Sequence, residues 1–238
     1  MENFDRIILI DKPAGISSFG VVAKIRWQLT EEKFAQMQKL QPNVSRKSCR
    51  VKVGHTGTLD PFATGLMILL SGKFTRRAGE FSKLDKVYEA EIVLGATSTT
   101  GDPEGEITAQ TAAKPPPRAA VAEIIKKFTG KITQTPPIFS AVKVGGERAY
   151  KLARRGETPA MPPRQVEIYS LEILDYAWPT LRLRAHVSSG TYIRTLAADI
   201  GRALGTGAYV KTLRRTKVGD FRVADALPLP LSDFAKKC

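Results

Sequence analysis

The chain has 238 residues, of which 42% are hydrophobic and 25% charged, a balance typical of globular proteins that excludes disorder, collagen and coiled coils. Its longest apolar run, residues 66–70, is far shorter than the ~20 residues that a membrane-spanning helix needs. Lysine and arginine total 37 against 23 aspartate and glutamate, which gives a formal net charge of +14 at pH 7. This charge predicts a polyanionic partner, RNA or DNA, although a basic surface without a specific ligand has the same composition.

The cysteine and histidine content argues against a zinc site or a disulfide framework. The chain has two cysteines, Cys49 and Cys238, and two histidines, His55 and His186, and it has no Cys-x-x-Cys pair. Its first residues include acidic side chains and only a short apolar run, unlike a signal peptide. P-loop, dinucleotide-binding and nucleophile-elbow motifs do not occur. We therefore expect a cytoplasmic protein that needs neither a metal nor a cofactor.

The first part of the chain predicts a strand, a helix and a polar insert. Residues 4–11 are typical of a short buried strand. Ser17 or Ser18 predicts the N-cap of a helix whose apolar residues are spaced for one face up to Leu29. Residues 31–53 are polar and basic, and we expect them to form a mobile insert.

A glycine-punctuated loop, residues 54–65, follows the insert and contains Asp60. Two interpretations of this aspartate stay open on the local pattern alone. An aspartate followed by Pro61 is typical of a helix N-cap and the first helical residue, and such a cap contributes ~1 kcal/mol. The glycines equally allow the backbone to approach a ligand closely, which favours a functional carboxylate.

The remainder of the chain combines alternating strands with amphipathic helices. Strands are predicted over residues 86–95, 166–176, 180–187 and 209–221. Helices are predicted over residues 118–128, 147–155 and 191–204. In the first of these strands, Tyr88 shares the inward face with Ala90, Ile92 and Leu94. Strands mixed with helices predict the α/β class, in its α+β form, and we expect a single domain over residues 1–238.

Four stretches of the sequence resemble, in the same order, the motifs of the TruB family of tRNA pseudouridine synthases. Residues 54–66 read Gly-His-Thr-Gly-Thr-Leu-Asp-Pro-Phe-Ala-Thr-Gly-Leu, which resembles the active-site motif of the family. The other three stretches are residues 10–18, similar to its N-terminal motif, residues 86–90, similar to its tyrosine strand, and residues 190–195 with 213–215, similar to its C-terminal motifs. The resemblance extends from residue 7 to about residue 225, and four ordered motifs are far more specific than a lone Leu-Asp pair.

The resemblance implies a reaction, a fold and a partner. The reaction is isomerisation of uridine to pseudouridine at position 55 in the T-loop of tRNA. The N-glycosidic bond breaks, the uracil turns and a carbon–carbon bond to the ribose forms, without a metal or a cofactor. The fold is the pseudouridine synthase fold, a mixed and mainly antiparallel sheet flanked by helices and loops. The expected partner is the T-arm of tRNA, and we expect a monomer without an obligate protein partner or a membrane.

The resemblance also implies catalytic roles for three residues. Asp60 is the catalytic carboxylate, which attacks the ribose, attacks the base or deprotonates the sugar. Arg194 is its partner, because a guanidinium can hold a carboxylate bidentately and keep it ionised where desolvation would raise its pKa. Tyr88 stacks on the uracil or assists proton transfer. From the residues alone, Tyr88 is equally a buried strand tyrosine, and Arg194 a solvated arginine near a helix start.

Four further residues are expected at the substrate. A uridine in a folded T-loop must be extruded before an enzyme can reach it, and the resemblance implies that His55 fills the vacated stack. Without the family, His55 is equally a loop histidine with local hydrogen bonds. Tyr192 supports the pocket or packs beside it, and Lys12 contacts RNA or supports the catalytic loop. Leu213 belongs to the C-terminal motif and is counted among the substrate-binding residues.

Three basic clusters are expected to position the RNA through its phosphates. They consist of Arg46, Lys47, Arg50 and Lys52; of Lys143, Arg148, Lys151, Arg154 and Arg155; and of Lys211, Arg214, Arg215 and Lys217. The second cluster lies where the family carries an insertion that grips the T-loop, here residues 118–160. Any one of these clusters alone is typical of a solvated surface.

The sequence departs from the family in two places and leaves two other functions open. Residues 31–53 form a longer stretch than bacterial relatives have, and so few residues follow the last motif that we expect no C-terminal PUA module. An RNA chaperone would need the same basic surface, and a DNA-binding regulator is supported only by the net charge. The variant Asp60→Asn separates the enzyme from the RNA chaperone. An enzyme would lose turnover and keep RNA binding, whereas a chaperone would keep its activity.

Overall fold

The computed structural model describes residues 4–110 and 114–229. Its strands are β1 (Ile7–Lys12), β2 (Val53–His55), β3 (Thr64–Ser71), β4 (Lys86–Leu94), β5 (Ala96–Ser98), β6 (Ile107–Ala109), β7 (Gly130–Gln134), β8 (Lys143–Val144), β9 (Glu147–Arg148), β10 (Arg164–Ala177), β11 (Thr180–Val187), β12 (Ala208–Val218), β13 (Phe221–Arg222) and β14 (Leu227–Pro228). Its α-helices are α1 (Ser18–Leu40), α2 (Ala78–Ser82), α3 (Arg118–Lys127), α4 (Ala149–Arg154) and α5 (Ile193–Ala203). Cys238 lies outside the described residues, and Cys49 is a buried free thiol.

Helix α1 continues well beyond its predicted end. It is capped by Ser17, whose hydroxyl accepts a hydrogen bond from the amide of Gly20, and it runs to Leu40. The expectation that residues 31–40 belong to a mobile insert is therefore wrong. These residues are mostly strong helix formers, and the first helix breaker after them is Pro42. The polar stretch that remains, residues 41–52, forms consecutive turns before β2.

The chain divides into two compact units, of which the first runs to Leu84 and resumes at Arg215. Its strands follow the order β14-β1-β3, with β2 also paired to β3. Strand β1 is antiparallel to β3 and parallel to β14. Strand β3 is buried along nearly its whole length, and α1 packs on β2 and β3. This unit carries the loop that contains Asp60.

The second unit, Asp85–Arg214, is an antiparallel sheet with helices packed on it. Its strands follow β12-β4-β11-β10-β7. Helix α5 packs against β4 and α3, and it buries the apolar face that the sequence predicts, Ile193, Leu196, Ala197 and Ile200. In β4 the alternation is also confirmed, since Tyr88, Ala90, Ile92 and Leu94 are buried. The mixed, mainly antiparallel sheet confirms the predicted α+β class.

Among the described residues, no helix combines the length and the apolar character required to cross a membrane.

Candidate active site

Asp60 lies in an irregular loop between β2 and β3, not at the start of a helix. The residues after it form a bend and then enter β3 at Thr64. The interpretation of Asp60 and Pro61 as an N-cap followed by the first turn of a helix is therefore wrong. On either side of Asp60, Leu59 is 3% exposed and Ala63 is fully buried, so apolar side chains anchor the loop at both ends.

The buried ammonium of Lys12 makes a hydrogen bond to the backbone of this loop at Pro61, after Asp60. Lys12 is fully buried, and its Nζ donates hydrogen bonds to the carbonyl oxygens of Pro13 at 2.8 Å, Ile16 at 2.8 Å and Pro61 at 3.0 Å. The amide of Gly15 donates to the same Pro61 oxygen at 2.9 Å. Of the two roles considered for Lys12, support of the catalytic loop fits this burial, whereas direct contact with RNA does not.

The guanidinium of Arg215 makes hydrogen bonds to the backbone of the loop at Gly57 and Thr58, before Asp60. It is 2% exposed and donates from Nε to Leu66 O at 2.8 Å, from Nη2 to Gly57 O at 3.1 Å and from Nη1 to Thr58 O at 3.4 Å. Gly65 has a φ of +105°, and a side chain there would overlap the backbone of Arg215. The expectation that Arg215 binds RNA is thus wrong, because its charge is enclosed by backbone carbonyls.

Ser18 fixes the residue directly before Asp60. Its hydroxyl donates to Leu59 O and accepts from Leu59 N, each at 2.8 Å. Backbone groups at Gly57, Thr58, Leu59 and Pro61 are therefore all held by side chains from outside the loop. This support fixes the backbone from which the Asp60 side chain extends, and a fixed position is what a catalytic group requires.

His55 ends β2 and is half-buried. Its backbone pairs with Leu69 on β3, so the strand pairing fixes where the ring leaves the sheet. The next residue, Thr56, begins the observed loop, and its amide also bonds to β3 at Ile68 O, 3.1 Å. The histidine and the Asp60 loop thus rest on the same strand.

In the second unit, Arg194 is a buried arginine in the first turn of α5. It is 4% exposed, and its Nη1 lies 3.2 Å from Oδ2 of Asp102. Nη1 also donates to Thr100 O at 2.8 Å, and Nη2 donates to Phe139 O at 2.9 Å. The alternative of a solvated arginine is therefore wrong.

Asp102 is a site residue that the sequence analysis missed. It is 3% exposed, and its Oδ1 accepts hydrogen bonds from Thr100 Oγ1 at 2.5 Å and from the amide of Glu104 at 3.0 Å. Because both carboxylate oxygens have partners, the buried charge is compensated. No pattern in the sequence marks it, since an aspartate between glycine and proline is typical of any turn.

Tyr192 is held in two ways by neighbouring strands of its unit. Its amide donates to Oε1 of Gln134 at 3.1 Å, and its carbonyl accepts from Nε2 of Gln134 at 3.3 Å. The guanidinium of Arg164 lies over the Tyr192 ring, 4.8 Å from the centroid. Gln134 and Arg164 face each other across β7 and β10. Sequence analysis missed both residues, because their contacts depend on this pairing.

A cavity of about 440 Å³ lies beside Arg194 in the second unit. Its lining includes Thr100, Phe139, Thr195, Asp199 and Arg202.

Tyr88 lies on β4, opposite Ala185 of β11, and is 8% exposed. Leu213 is 7% exposed on β12.

The predicted basic clusters differ in their surroundings. Arg46, Lys47 and Arg50 are exposed on the turns that follow α1. Lys143, Arg148, Lys151, Arg154 and Arg155 are exposed on the β8–β9 hairpin and α4. Arg155 is paired with Glu147 at 2.9 Å and with Glu157 at 2.8 Å, and Lys211 is paired with Glu91 at 2.8 Å. Arg214 is half-buried.

Comparison with known proteins shows the family. Residues 45–193 match the model for the N-terminal domain of the TruB family pseudouridylate synthases, and residues 194–237 match the model for the tRNA pseudouridylate synthase B C-terminal domain. The chain belongs to the TruB family of pseudouridylate synthases. The expected fold and enzyme class are thereby confirmed.

Curated relatives match over most of the chain. The tRNA pseudouridine synthase B of Phocaeicola vulgatus is 42% identical over 221 residues, which cover 93% of this chain and 88% of the relative. That of Endomicrobium trichonymphae is 39% identical over 235 residues, which cover 99% of this chain and 94% of the relative. That of Pseudomonas fluorescens strain Pf-5 is 43% identical over 227 residues, which cover 95% of this chain and 68% of the relative.

A solved structure shares the fold. A chain in the crystal structure of a Cbf5-Nop10-Gar1 complex is 29% identical, with a TM-score of 0.64. The match covers 95% of this chain and 52% of that chain, so this chain spans about half of it.

Proposed function

We propose that this TruB-family enzyme converts the uridine at position 55 in the T-loop of tRNA to pseudouridine, with Asp60 as its catalytic carboxylate. The observation that carries the proposal is the loop around Asp60. The buried cations Lys12 and Arg215 and the hydroxyl of Ser18 all make hydrogen bonds to the backbone of this loop. Relatives that carry the name tRNA pseudouridine synthase B, at 39–43% identity, support the substrate.

The reaction needs a carboxylate and no redox partner. Pseudouridine is an isomer of uridine: the bond from N1 to C1′ breaks, the bond from C5 to C1′ forms, C5 loses its proton and N1 gains one. Asp60 attacks the sugar, attacks the base or removes a proton from the sugar, and each route requires the ionised form. A loop that is fixed before substrate binds delivers that charge to one position without a reorganisation cost.

Arg194 and Tyr88 complete the proposed catalytic set. A guanidinium carries five N–H donors in a rigid fork, so Arg194 can serve the Asp60 carboxylate as well as Asp102. In this role it keeps Asp60 ionised inside a closed substrate complex. Tyr88 stacks on the uracil, and its hydroxyl assists the proton transfer at C5.

The remaining residues bind the substrate. His55 fills the stack that the extruded uridine leaves, and Tyr192 and Leu213 line the pocket. The exposed cations on residues 143–155, together with Arg46, Lys47, Arg50 and Arg214, contact phosphates of the T-arm. We propose that the protein acts in the cytoplasm as a monomer and that residues 1–238 work as one catalytic domain. The turns at residues 41–52 and the insertion at about residues 118–160 contribute RNA contacts.

The test is a pseudouridine assay on unmodified tRNA and on a T-arm hairpin. We expect the wild-type protein to convert one T-loop uridine, and we expect Asp60→Asn to bind the RNA with unchanged affinity and to convert none. Asp220→Asn is the matched control, because Asp220 is an exposed aspartate of the same unit outside the site, and it should keep full turnover. Turnover by Asp60→Asn, or a wild-type protein that binds but leaves every uridine intact, would refute the proposal.

A further inference from the structure

We infer that a groove between α1 and the turns at residues 46–52 is a second RNA-binding site, in which phosphates pair with arginines and one base stacks on Trp27. This inference rests on the proposed function for its ligand, and it adds Trp27 and Arg26 to the RNA-binding residues. The groove has a volume of about 460 Å³ and is lined by Ala23, Arg26, Trp27, Thr30, Glu31, Arg46, Lys47 and Arg50.

The two walls of the groove are joined by buried contacts. The buried hydroxyl of Thr30 donates to Arg26 O at 2.7 Å and accepts from the amide of Val51 at 3.1 Å, which ties the turn segment to α1. Cys49 and Val51 are 1% and 3% exposed. The positions of the cations along the groove are therefore set by packed backbone, although the side chains themselves reach solvent.

The charges of the groove favour an anion. Arg26, Arg46, Lys47 and Arg50 face one acidic residue, Glu31. Oε2 of Glu31 accepts a hydrogen bond from Arg46 at 2.7 Å, which orients that guanidinium. Arginines present a planar fork that matches phosphate oxygens.

One feature points to a nucleotide and not merely to any anion. Trp27 is 48% exposed beside these cations, and an exposed aromatic among arginines is the arrangement that stacks a nucleic-acid base.

The groove is continuous with the strand that carries His55. A smaller cavity of about 220 Å³ shares Arg26 and Arg50 with it and extends along Lys52 to Val53. Val53 begins β2, and His55 ends it, so the inner end of the groove lies ~7 Å from His55 along the strand. One RNA molecule can therefore place its T-loop at His55 and another of its segments in this groove.

The experiment measures binding of unmodified tRNA transcript by fluorescence anisotropy, over a series of salt concentrations. Trp27→Ala should raise the Kd on the order of tenfold, and Trp27→Phe should recover most of the affinity, since a phenyl ring also stacks. Arg50→Gln should raise the Kd and reduce the slope of log Kd against log salt by about one. Quenching of tryptophan fluorescence by tRNA should be smaller in Trp27→Phe than in the wild type.

Lys39→Gln is the matched control, because Lys39 is exposed on the same helix outside the groove. It removes the same charge and should change the Kd by less than about twofold through screened long-range effects. If Trp27→Ala and Arg50→Gln bind tRNA no more weakly than Lys39→Gln, the groove is not an RNA site. The pseudouridine assay on the same transcript separates the two ideas: a wild-type protein that converts no uridine refutes the proposed function, whereas the groove is judged by the Kd values alone.

Discussion

The loop that carries Asp60 and the segment that carries Arg194 are supported by opposite chemistry. In the first unit, buried cations, Lys12 and Arg215, donate hydrogen bonds to backbone carbonyls and fix the main chain. In the second unit, a buried anion, Asp102, and two carbonyls hold the guanidinium of Arg194 itself. The backbone position of Asp60 thus depends on hydrogen bonds from several residues. The position of the Arg194 guanidinium depends on its own bonds, so we expect a substitution of Arg194 to lower stability and activity the most.

The largest effect is expected when the Arg194–Asp102 pair is broken. Arg194→Met leaves the Asp102 carboxylate buried without its cation, which should lower the free energy of unfolding by about 3–5 kcal/mol and abolish turnover. The double variant Arg194→Met/Asp102→Asn should recover much of that stability because the buried charge is gone, but no activity. Urea unfolding and the pseudouridine assay measure the two quantities. Recovery of activity in the double variant would show that Arg194 has only a structural role.

A smaller effect is expected from removal of one support of the Asp60 loop. Lys12→Met takes the donor from three carbonyls, although Pro61 O keeps the amide of Gly15. We expect a loss of about 1–3 kcal/mol in the free energy of unfolding and a lower kcat with little change in KM. Lys47→Met, at an exposed lysine, should change stability by less than about 0.5 kcal/mol. A Lys12→Met protein with normal kcat would mean that the loop does not need this anchor.

The neighbouring serines at the start of α1 separate loop support from helix stability. Ser18→Ala removes both hydrogen bonds to Leu59, and Ser17→Ala removes the N-cap bond to Gly20. Each should cost ~1 kcal/mol in thermal or urea unfolding. Only Ser18→Ala should lower kcat, because Leu59 precedes Asp60. Equal kcat values in the two variants would argue that the backbone bonds at Leu59 do not position the carboxylate.

The smallest effect is expected at an exposed ion pair of the second unit, which contrasts with the buried pair of Arg194. Hydrogen bonding to Arg155 lowers the pKa of Glu147 from its ordinary value. The ionised carboxylate is favoured in the folded protein, so its contribution is present above the ordinary pKa and is lost as pH falls through the lowered value. In Arg155→Gln, NMR titration should show the pKa of Glu147 rising toward normal, while global stability near neutral pH barely changes. Arg154→Gln is the control, because the guanidinium of Arg154 lies over Tyr150, and this variant should leave the pKa of Glu147 unchanged.

The sequence predicted elements closely where one periodicity dominated. Strand β11 has the predicted bounds, and the buried face of β4 is the predicted one. The errors arose where two local signals competed. The polar composition of residues 31–40 concealed good helix formers, and Asp60 followed by Pro61 has the local pattern of a cap that the chain does not use.

By itself the sequence determined the fold class and the family, because these follow from periodicity and from ordered motifs, and the same motifs led to the proposal of Asp60, Tyr88 and Arg194 as catalytic residues. Only the tertiary structure decided which basic residues are buried supports. Arg215 has the sequence context of a surface arginine, yet one of its acceptors is 149 positions away, and an acceptor of Arg194 is 94 positions away. Whether a charge meets carbonyls, a carboxylate or water depends on these long-range contacts, and no local pattern encodes them.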